Sequence, residues 1–523
     1  MTGDKPSRRT VLGVLGAVPL AATGVFGGTS RAATPGLDAR IRAVVNRPVF
    51  AGSQWGMAFY SPDTGDVVYA LSPDELFVAA SAVKVFVAGT AFEALGPDHR
   101  FRTRVHRTGP VVRGVLRGDL VLVAGGDLLL SGRMRPDGTP AVPEPDPTYP
   151  GGAPLPDPLR EIRDLARQVS AGVRHVEGRV LVDVSLFLEA REGIAMGDAK
   201  VTVSPMTVND QVVHAVVTPG DTAGAPAVVR AAPDTGYVRF TGQVTTVPAA
   251  GPARPLAFTD DVTHPDGTHT VTVTGDVPLG GPPRHVAYFV PSPALFAATV
   301  FAEALCEHGV RVTGGASADA PARWRGAPLA EQVSPPLAEE VKVMLKASSN
   351  VHTVTFPYLV GAIAGRDPIT PKETYHRYRR ELFRAAGLDP DPAGAADGRY
   401  TAVTFTKFLA HLRRRPHFDR YHRALPIMGR DGTLAGNQPT SPAAGHVYAK
   451  TGTGVMRAPT GGTAVNKALA GYVELPGGRW LTFAQFMRQE TTADAARGLA
   501  DQAQEAMAEI AAAVYETLGR SPR

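Results

Sequence analysis

The 523-residue chain is 44% hydrophobic and 20% charged, and its formal net charge at pH 7 is +5. That is apolar material for several ordinary cores, and too small a positive excess for a nucleic-acid footprint, although it suits acidic polymers such as a cell wall. The single cysteine, Cys306, excludes an internal disulfide and, with no Cys/His cluster, a structural zinc site.

Residues 1–32 read as a leader. Ser7-Arg8-Arg9-Thr10-Val11-Leu12 is a twin-arginine pattern, the apolar run from Val11 to Phe26 is broken by Pro19 and several glycines, and Ser30-Arg31-Ala32 offers a small-x-small cleavage site. The run is too short and interrupted for an anchor, so the mature protein is expected to begin near Ala33 and to work outside the cytoplasmic membrane. Gly36 to Asn46 then reads as an amphipathic helix. Trp55 to Tyr60 and Asp66 to Leu71 read as strands joined by the turn Ser61-Pro62-Asp63-Thr64-Gly65, and a helix through Ser81 stops near Gly96-Pro97.

From Phe101 the pattern shifts to short strands: Val111–Val115, Gly118–Val123, Arg179–Asp183, Val201–Val217, Ala227–Val247, Leu256–Thr263 and Thr268–Val277. Between them Arg133 to Pro158, rich in Pro, Gly and Asp, is expected to be a long mobile loop. Pro293 to His308 is a strongly apolar helix, in which Cys306 is expected to pack into the core. Helices return at Leu337–Lys346 and Val351–Ala364. Another runs to Gly387, opened by Thr370 as cap, Pro371 at the first position and Glu373 completing a capping box, and a fourth covers Thr404–Arg414. Three strands (Val447–Lys450, Ala468–Leu475, Arg479–Gln485) and a long Ala-rich helix (Thr491–Leu518) close the chain. The division expected is residues 33–100 and 336–523 as two parts of one split domain, with 101–335 as β-rich material inserted between them.

Ser81-Ala82-Val83-Lys84 places a hydroxyl and an amine one helical turn apart. Lysine can deprotonate a serine only if desolvation or a second cation lowers its pKa, and Ala82, Val83, Val85, Phe86 and Val87 supply apolar surroundings. Roughly one Ser-x-x-Lys is expected by chance in a chain of this length, so partners are needed. Lys346-Ala347-Ser348-Ser349-Asn350 offers Ser348 as a proton relay and the Asn350 amide as a hold on a substrate carbonyl or on the lysine; the competing role of Ser-Ser-Asn is an N-cap. Lys450-Thr451-Gly452-Thr453 ends a strand. Lys450 would be the second cation, Thr451 and Thr453 donors to a carboxylate, and Gly452 a point of close backbone approach; the competing reading is an ordinary strand-to-turn junction. Backbone amides at Ser81 and Thr453 would make an oxyanion hole.

Ser-x-x-Lys, Ser-x-Asn and Lys-Thr-Gly in that order resemble the penicillin-binding proteins and serine β-lactamases. The long insert between Ser81 and Ser348 leaves no room for a class A β-lactamase. It is similar instead to the D-alanyl-D-alanine carboxypeptidase/endopeptidase family, the low-molecular-mass class C penicillin-binding proteins (peptidase family S13). Gly125-Gly126-Asp127, Ser204 to Asp210, Gly429-Arg430-Asp431-Gly432-Thr433-Leu434 and Ala470-Gly471-Tyr472-Val473 resemble further stretches of that family.

The resemblance implies an α+β fold: a β-lactamase/transpeptidase-like domain, with an antiparallel sheet flanked by helices, split by large β-rich inserted domains. It implies cleavage of D-Ala-D-Ala bonds or cross-links in peptidoglycan stem peptides through an acyl-serine, and acylation by β-lactam antibiotics, which act as inhibitors. Ser81, Lys84, Ser348 and Asn350 would be catalytic, and Lys450, Thr451, Gly452 and Thr453 would bind substrate, with no cofactor, metal or nucleic acid and at most a peripheral relation to membrane or wall. The chain departs from the family pattern at Ala80, where proline is usual, in the reduced loop Asp397-Gly398-Arg399-Tyr400, and in the long connection from Gly454 to Lys467. A β-lactamase-like hydrolase and a decayed wall-binding protein are the rival readings. A Ser-His-Asp hydrolase lacks its Gly-x-Ser-x-Gly, and Asp389-Pro390-Asp391 fails as a calcium loop because Ala393 and Tyr400 stand at ligand positions.

Overall fold

The computed structural model describes residues 36–519 apart from 196–198, 320–322, 325 and 459, so the leader and the start near Ala33 lie outside the described residues. One five-stranded antiparallel sheet joins the two ends of the chain. Its strands are β1 (Gln54–Tyr60), β2 (Val67–Leu71), β3 (Val447–Arg457), β4 (Thr463–Leu475) and β5 (Arg479–Thr491), in the order β2-β1-β5-β4-β3. Side chains alternate across it as a pleat requires. Met57, Phe59, Val465, Leu469 and Val473 pack under α1 (Leu37–Val45) and α10 (Ala493–Gly519), whereas Ala58, Ala468, Ala470 and Ala484 face the opposite core.

Those alanines are small, and they let α8 (Ala402–Arg413) lie close to the sheet, with α2 (Lys84–Leu95) packed among the helices behind it. At its centre Phe86 packs against Phe383, Tyr400, Phe405 and Phe408, with ring centroids 4.6 to 5.1 Å apart. Burying such a side chain stabilises by about 2–3 kcal/mol. Gly89 brings α2 against α8, since a Cβ there would stand 2.8 Å from Phe408 Cζ. The hydroxyl of Thr401 caps α8 by accepting from the Thr404 amide at 3.1 Å.

The middle of the chain carries α3 (Arg160–Ser170), α4 (Pro293–Glu307) and several small sheets over a second core. Strands Arg102–Arg107, Leu120–Val123, Val180–Asp183 and Ala330–Val333 form one of these sheets. The run expected from Val201 to Val217 divides into Lys200–Val203 and Val212–Thr218 around a turn at Asn209–Gln211. Helix α3 and strand Arg284–Phe289 are elements the sequence reading leaves out. This region is not sealed off, because Phe101, Leu128, Phe187, Val201 and Val203 share the core around Phe86.

Four expectations need correction. The 133–158 stretch is anchored, not free: Arg133 is fully buried and donates to Asp146 and Asp210, at 2.7 and 2.8 Å from Nη2. Cys306 is exposed; it lies outside the apolar face of α4 formed by Ala297, Val300, Phe301, Ala304 and Leu305. Thr370 opens α7 (Pro371–Ala385) without a side-chain cap bond, because its hydroxyl donates to Asp367, which also takes the Thr370 amide. The connection from Gly454 to Lys467 is mostly strand, β3 running to Arg457 and β4 starting at Thr463.

Where the middle region meets α5 (Leu337–Lys346), two carboxyls are buried together, Asp127 and Glu340. Burial pushes Asp127 up to about 7, and burial together with Asp127 pushes Glu340 well above the usual carboxylate range. The folded chain thus holds protons that the unfolded chain releases above about pH 4. Stability is fully present below that pH and is lost as pH rises through about 7. The melting temperature is expected to fall between about pH 5 and pH 8. Glu340→Gln should flatten that fall; an equal slope in the variant would remove Glu340 as its source.

Candidate active site

Ser81 lies in a short 3-10 turn, Ala80–Val83, that leads directly into α2 at Lys84. Three residues per turn bring positions i and i+3 onto one side, and Lys84 Nζ lies 2.7 Å from Ser81 Oγ. Ala80 holds φ at 44°, a value a proline ring cannot take. Lys84 Nζ also lies 2.7 Å from Asn350 Oδ1. The ammonium is buried among neutral partners, and burial lowers its pKa to about 7.

Asn350 begins α6 (Asn350–Ile363), and the capping role falls to its neighbour: Ser349 Oγ accepts from the His352 amide at 3.3 Å. Ser348, at φ 58°, sits at the bend between α5 and α6 and turns its carbonyl to the Tyr149 hydroxyl, which donates to it at 2.8 Å. Left-handed backbone at a non-glycine residue is costly, and here it is held from both sides. Asp210 reaches from the neighbouring turn to His352 Nε2 at 3.1 Å while bound to Arg133. Burial alone would raise the Asp210 carboxyl, but Arg133 and His352 outweigh it and hold it down at about 2.

Strand β3 is the sheet edge, paired along its length with β4 and bridged at Tyr448 to Ile427, and its outer side meets the Ser81 turn. Gly452 makes that approach possible: a Cβ there would stand 2.4 Å from the Ala79 carbonyl oxygen and 3.1 Å from the Ala82 amide. Across the Ser81 turn, Phe77–Val78 pairs with Arg399–Tyr400, and the Ala79 amide donates to the Gly398 carbonyl at 3.0 Å. The reduced Asp397–Tyr400 loop therefore still braces the turn. Lys450 is fully buried and donates to the Thr451 carbonyl at 2.9 Å. Burial, then the nearby ammoniums of Lys84 and Lys467, drive its pKa well down.

The structure thus joins Ser81, Lys84 and Asn350 directly, sets Lys450 within electrostatic reach of Lys84, and places Gly452 against the Ser81 turn. Thr451 Oγ1 accepts from Lys450 Nζ at 3.5 Å and lies 2.9 Å from the Thr433 hydroxyl, while Thr453 Oγ1 accepts from Lys467 Nζ at 2.6 Å. Lys467, Tyr149 and Gln504 are residues the sequence reading misses, and it names Thr433 only within the Gly429–Leu434 stretch. Lys467 lies at the end of the stretch that reads as a connection. A lone lysine in the apolar run Ala464-Val465-Asn466-Lys467-Ala468-Leu469 was the available signal. Lys346 fixes the Gly429–Leu434 stretch beside the site, donating to both oxygens of Asp431 at 2.8 Å.

The family model described as the D-Ala-D-Ala carboxypeptidase 3 (S13) family matches residues 37–514. The D-alanyl-D-alanine carboxypeptidase of Actinomadura sp. (strain R39) is 29% identical over 474 residues, covering 84% of this chain and 78% of that protein. Penicillin binding protein 4 from Haemophilus influenzae has a similar fold, with TM-score 0.65 and 19% identity over 92% of this chain and 99% of its own. The structure of that protein complexed with a β-lactam gives TM-score 0.64 at 18% identity, over 92% of this chain and 100% of its own.

An amine that takes a proton from Ser81 must itself be neutral, and Lys84 is neutral above about pH 7. The rate of Ser81 acylation by a penicillin is expected to rise with pH through that value and then level. Lys84→Ala should keep its fold and lose about 10²-fold or more in that rate. Acylation at the normal rate in the variant would end the base role of Lys84.

Proposed function

The chain belongs to the D-Ala-D-Ala carboxypeptidase 3 (S13) family and is a serine peptidase of that kind; from that premise we propose that Ser81 is the nucleophile and Lys84 its base. The observation that carries this assignment is the buried Lys84 amine, 2.7 Å from both Ser81 Oγ and Asn350 Oδ1. In the neutral amine one N–H donates to Asn350, which leaves the lone pair for the Ser81 hydroxyl proton. Ser81 Oγ attacks the carbonyl of the D-Ala-D-Ala bond, and the oxyanion rests on the amides of Ser81 and Thr453. Each such donor is typically worth about 3–4 kcal/mol of barrier.

The C–N bond then breaks as the leaving amine takes a proton through Ser348. Thr451 and Thr453 hold the departing carboxylate beside Lys450, and water releases the acyl group from Ser81. The substrates are peptidoglycan stem peptides, and β-lactams acylate the same serine. Twin-arginine export, read from the leader, places the enzyme outside the cytoplasmic membrane; among the described residues no helix is long and apolar enough to cross one. The division into a split domain of 33–100 and 336–523 with 101–335 inserted is supported by the sheet order, in which β1 and β2 join strands from the end of the chain.

The test is labelling by a fluorescent penicillin, wild type against Ser81→Ala, alongside release of D-Ala from an acyl-D-Ala-D-Ala peptide. Persistent label in wild type, none in the variant, and D-Ala release only from wild type are expected. Rapid loss of label with hydrolysis of the drug would make the protein a β-lactamase. A folded wild type that takes no label and releases no D-Ala would be a binding-only descendant.

A further inference from the structure

Lys467 is a buried cation that the reaction as described does not use. It stands on β4 opposite Thr453, on the sheet face covered by α10, and it is 3% exposed. Its ammonium donates to Thr453 Oγ1 at 2.6 Å and to Gln504 Oε1 of α10 at 2.9 Å, both neutral oxygens. Among the described residues no carboxylate lies within ion-pairing distance of it; Asp501 acts on it only through space. A buried charge without a counter-charge is costly, so a lysine kept there points to an anion that arrives from outside.

We propose that Lys467 is a positioning and specificity residue: held beneath Thr453, it makes the site select leaving groups that carry a free carboxylate beside the scissile nitrogen. This rests on the reading of Thr451 and Thr453 as the carboxylate subsite.

A hydroxyl has one proton and two lone pairs. By filling a lone pair of Thr453, Lys467 turns the Thr453 proton away from itself, toward the solvent to which this residue is exposed. The same network reaches the second threonine. Gln504 Nε2 donates to the Thr433 carbonyl at 3.0 Å and to Asn437 Oδ1 at 2.9 Å, and the Thr433 hydroxyl lies 2.9 Å from that of Thr451. One lysine and one glutamine thus tie down both threonines. Along β3 the odd positions face α10 and the even ones face α2, so Lys467 approaches the threonines from one side of the strand and Lys450 from the other. A carboxylate at the threonines lies between Lys467 on one side of the strand and Lys450 on the other; a carboxamide in its place meets the same donors without the charge.

The experiment compares kcat and KM for an acyl-D-Ala-D-Ala peptide and its C-terminal carboxamide in wild type, Lys467→Met and Lys467→Arg, with fluorescent-penicillin labelling of each protein. Lys467→Met should lose about 10- to 100-fold in kcat/KM on the acid, mainly through KM, and little on the amide. Lys467→Arg should keep the preference for the acid. Should methionine not be tolerated at this position, Lys467→Gln removes the charge while still donating to Thr453, and is expected to lose the preference likewise. Equal losses on both peptides, or none, would overturn the inference while labelling at Ser81 leaves the acyl-serine reading standing. A wild type that takes no label overturns that reading and this inference with it.

Discussion

The proposed chemistry depends on bringing the pKa of one amine down to about 7. Lysine gives up its proton only where water is withheld, and Lys84 meets that condition at the start of α2, beneath the edge strand β3, with serine and asparagine oxygens as its polar neighbours. A carboxylate in place of Asn350 would stabilise the ammonium and remove its capacity as a base. The neutral amide orients the amine without charging it.

Much of the remaining structure serves to hold that pocket shut and in register. The aromatic cluster around Phe86 fixes α2 to the helices around it, while Gly452 permits the Ser81 turn to approach the sheet. The Ser348 bend is strained and would relax if it were free. Tyr149 holds its carbonyl, and the buried Arg133–Asp210–His352 series ties the first turn of α6 to the middle of the chain. The turn that presents Asp210 is itself left-handed at Asn209, Asp210 and Gln211, with φ from 49 to 60°. Strain on both sides of the contact persists because a buried ion pair joins them.

Local spacing made Ser81, Lys84 and Asn350 legible, since a turn of helix and a helix start are set by neighbours in sequence. The residues that escaped act across sequence distance. Tyr149 meets Ser348 only because Arg133 is drawn into the core, and a stretch rich in Pro, Gly and Asp gives no periodicity from which to infer that. Lys467 escaped because β3 and β4 continue through a glycine-rich stretch that reads as a loop; pairing between the strands, not propensity, extends them. Cys306 shows the opposite error, an apolar neighbourhood in sequence that turns outward at the last turn of α4. Thr370 had the residues of a capping box, yet Asp367 lies closer to its hydroxyl and takes the bond.

The sheet order has a consequence for synthesis. β1 and β2 emerge early, but β1 bonds to β5, and contacts such as Gln489 to the Val49 carbonyl join residues 440 positions apart. Pairings of such long range are slow to form, because the loop must be closed before any contact rewards it. The region around residues 101–335, with its own core and nearer pairings, is free to consolidate while the chain grows. The central sheet waits for its last three strands. Because Lys450 and the threonines ride on the first of these, a ribosome-bound chain carries Ser81 for most of its synthesis without a finished pocket around it. Competence for chemistry therefore waits on β3, β4 and β5, far beyond Ser81 in sequence.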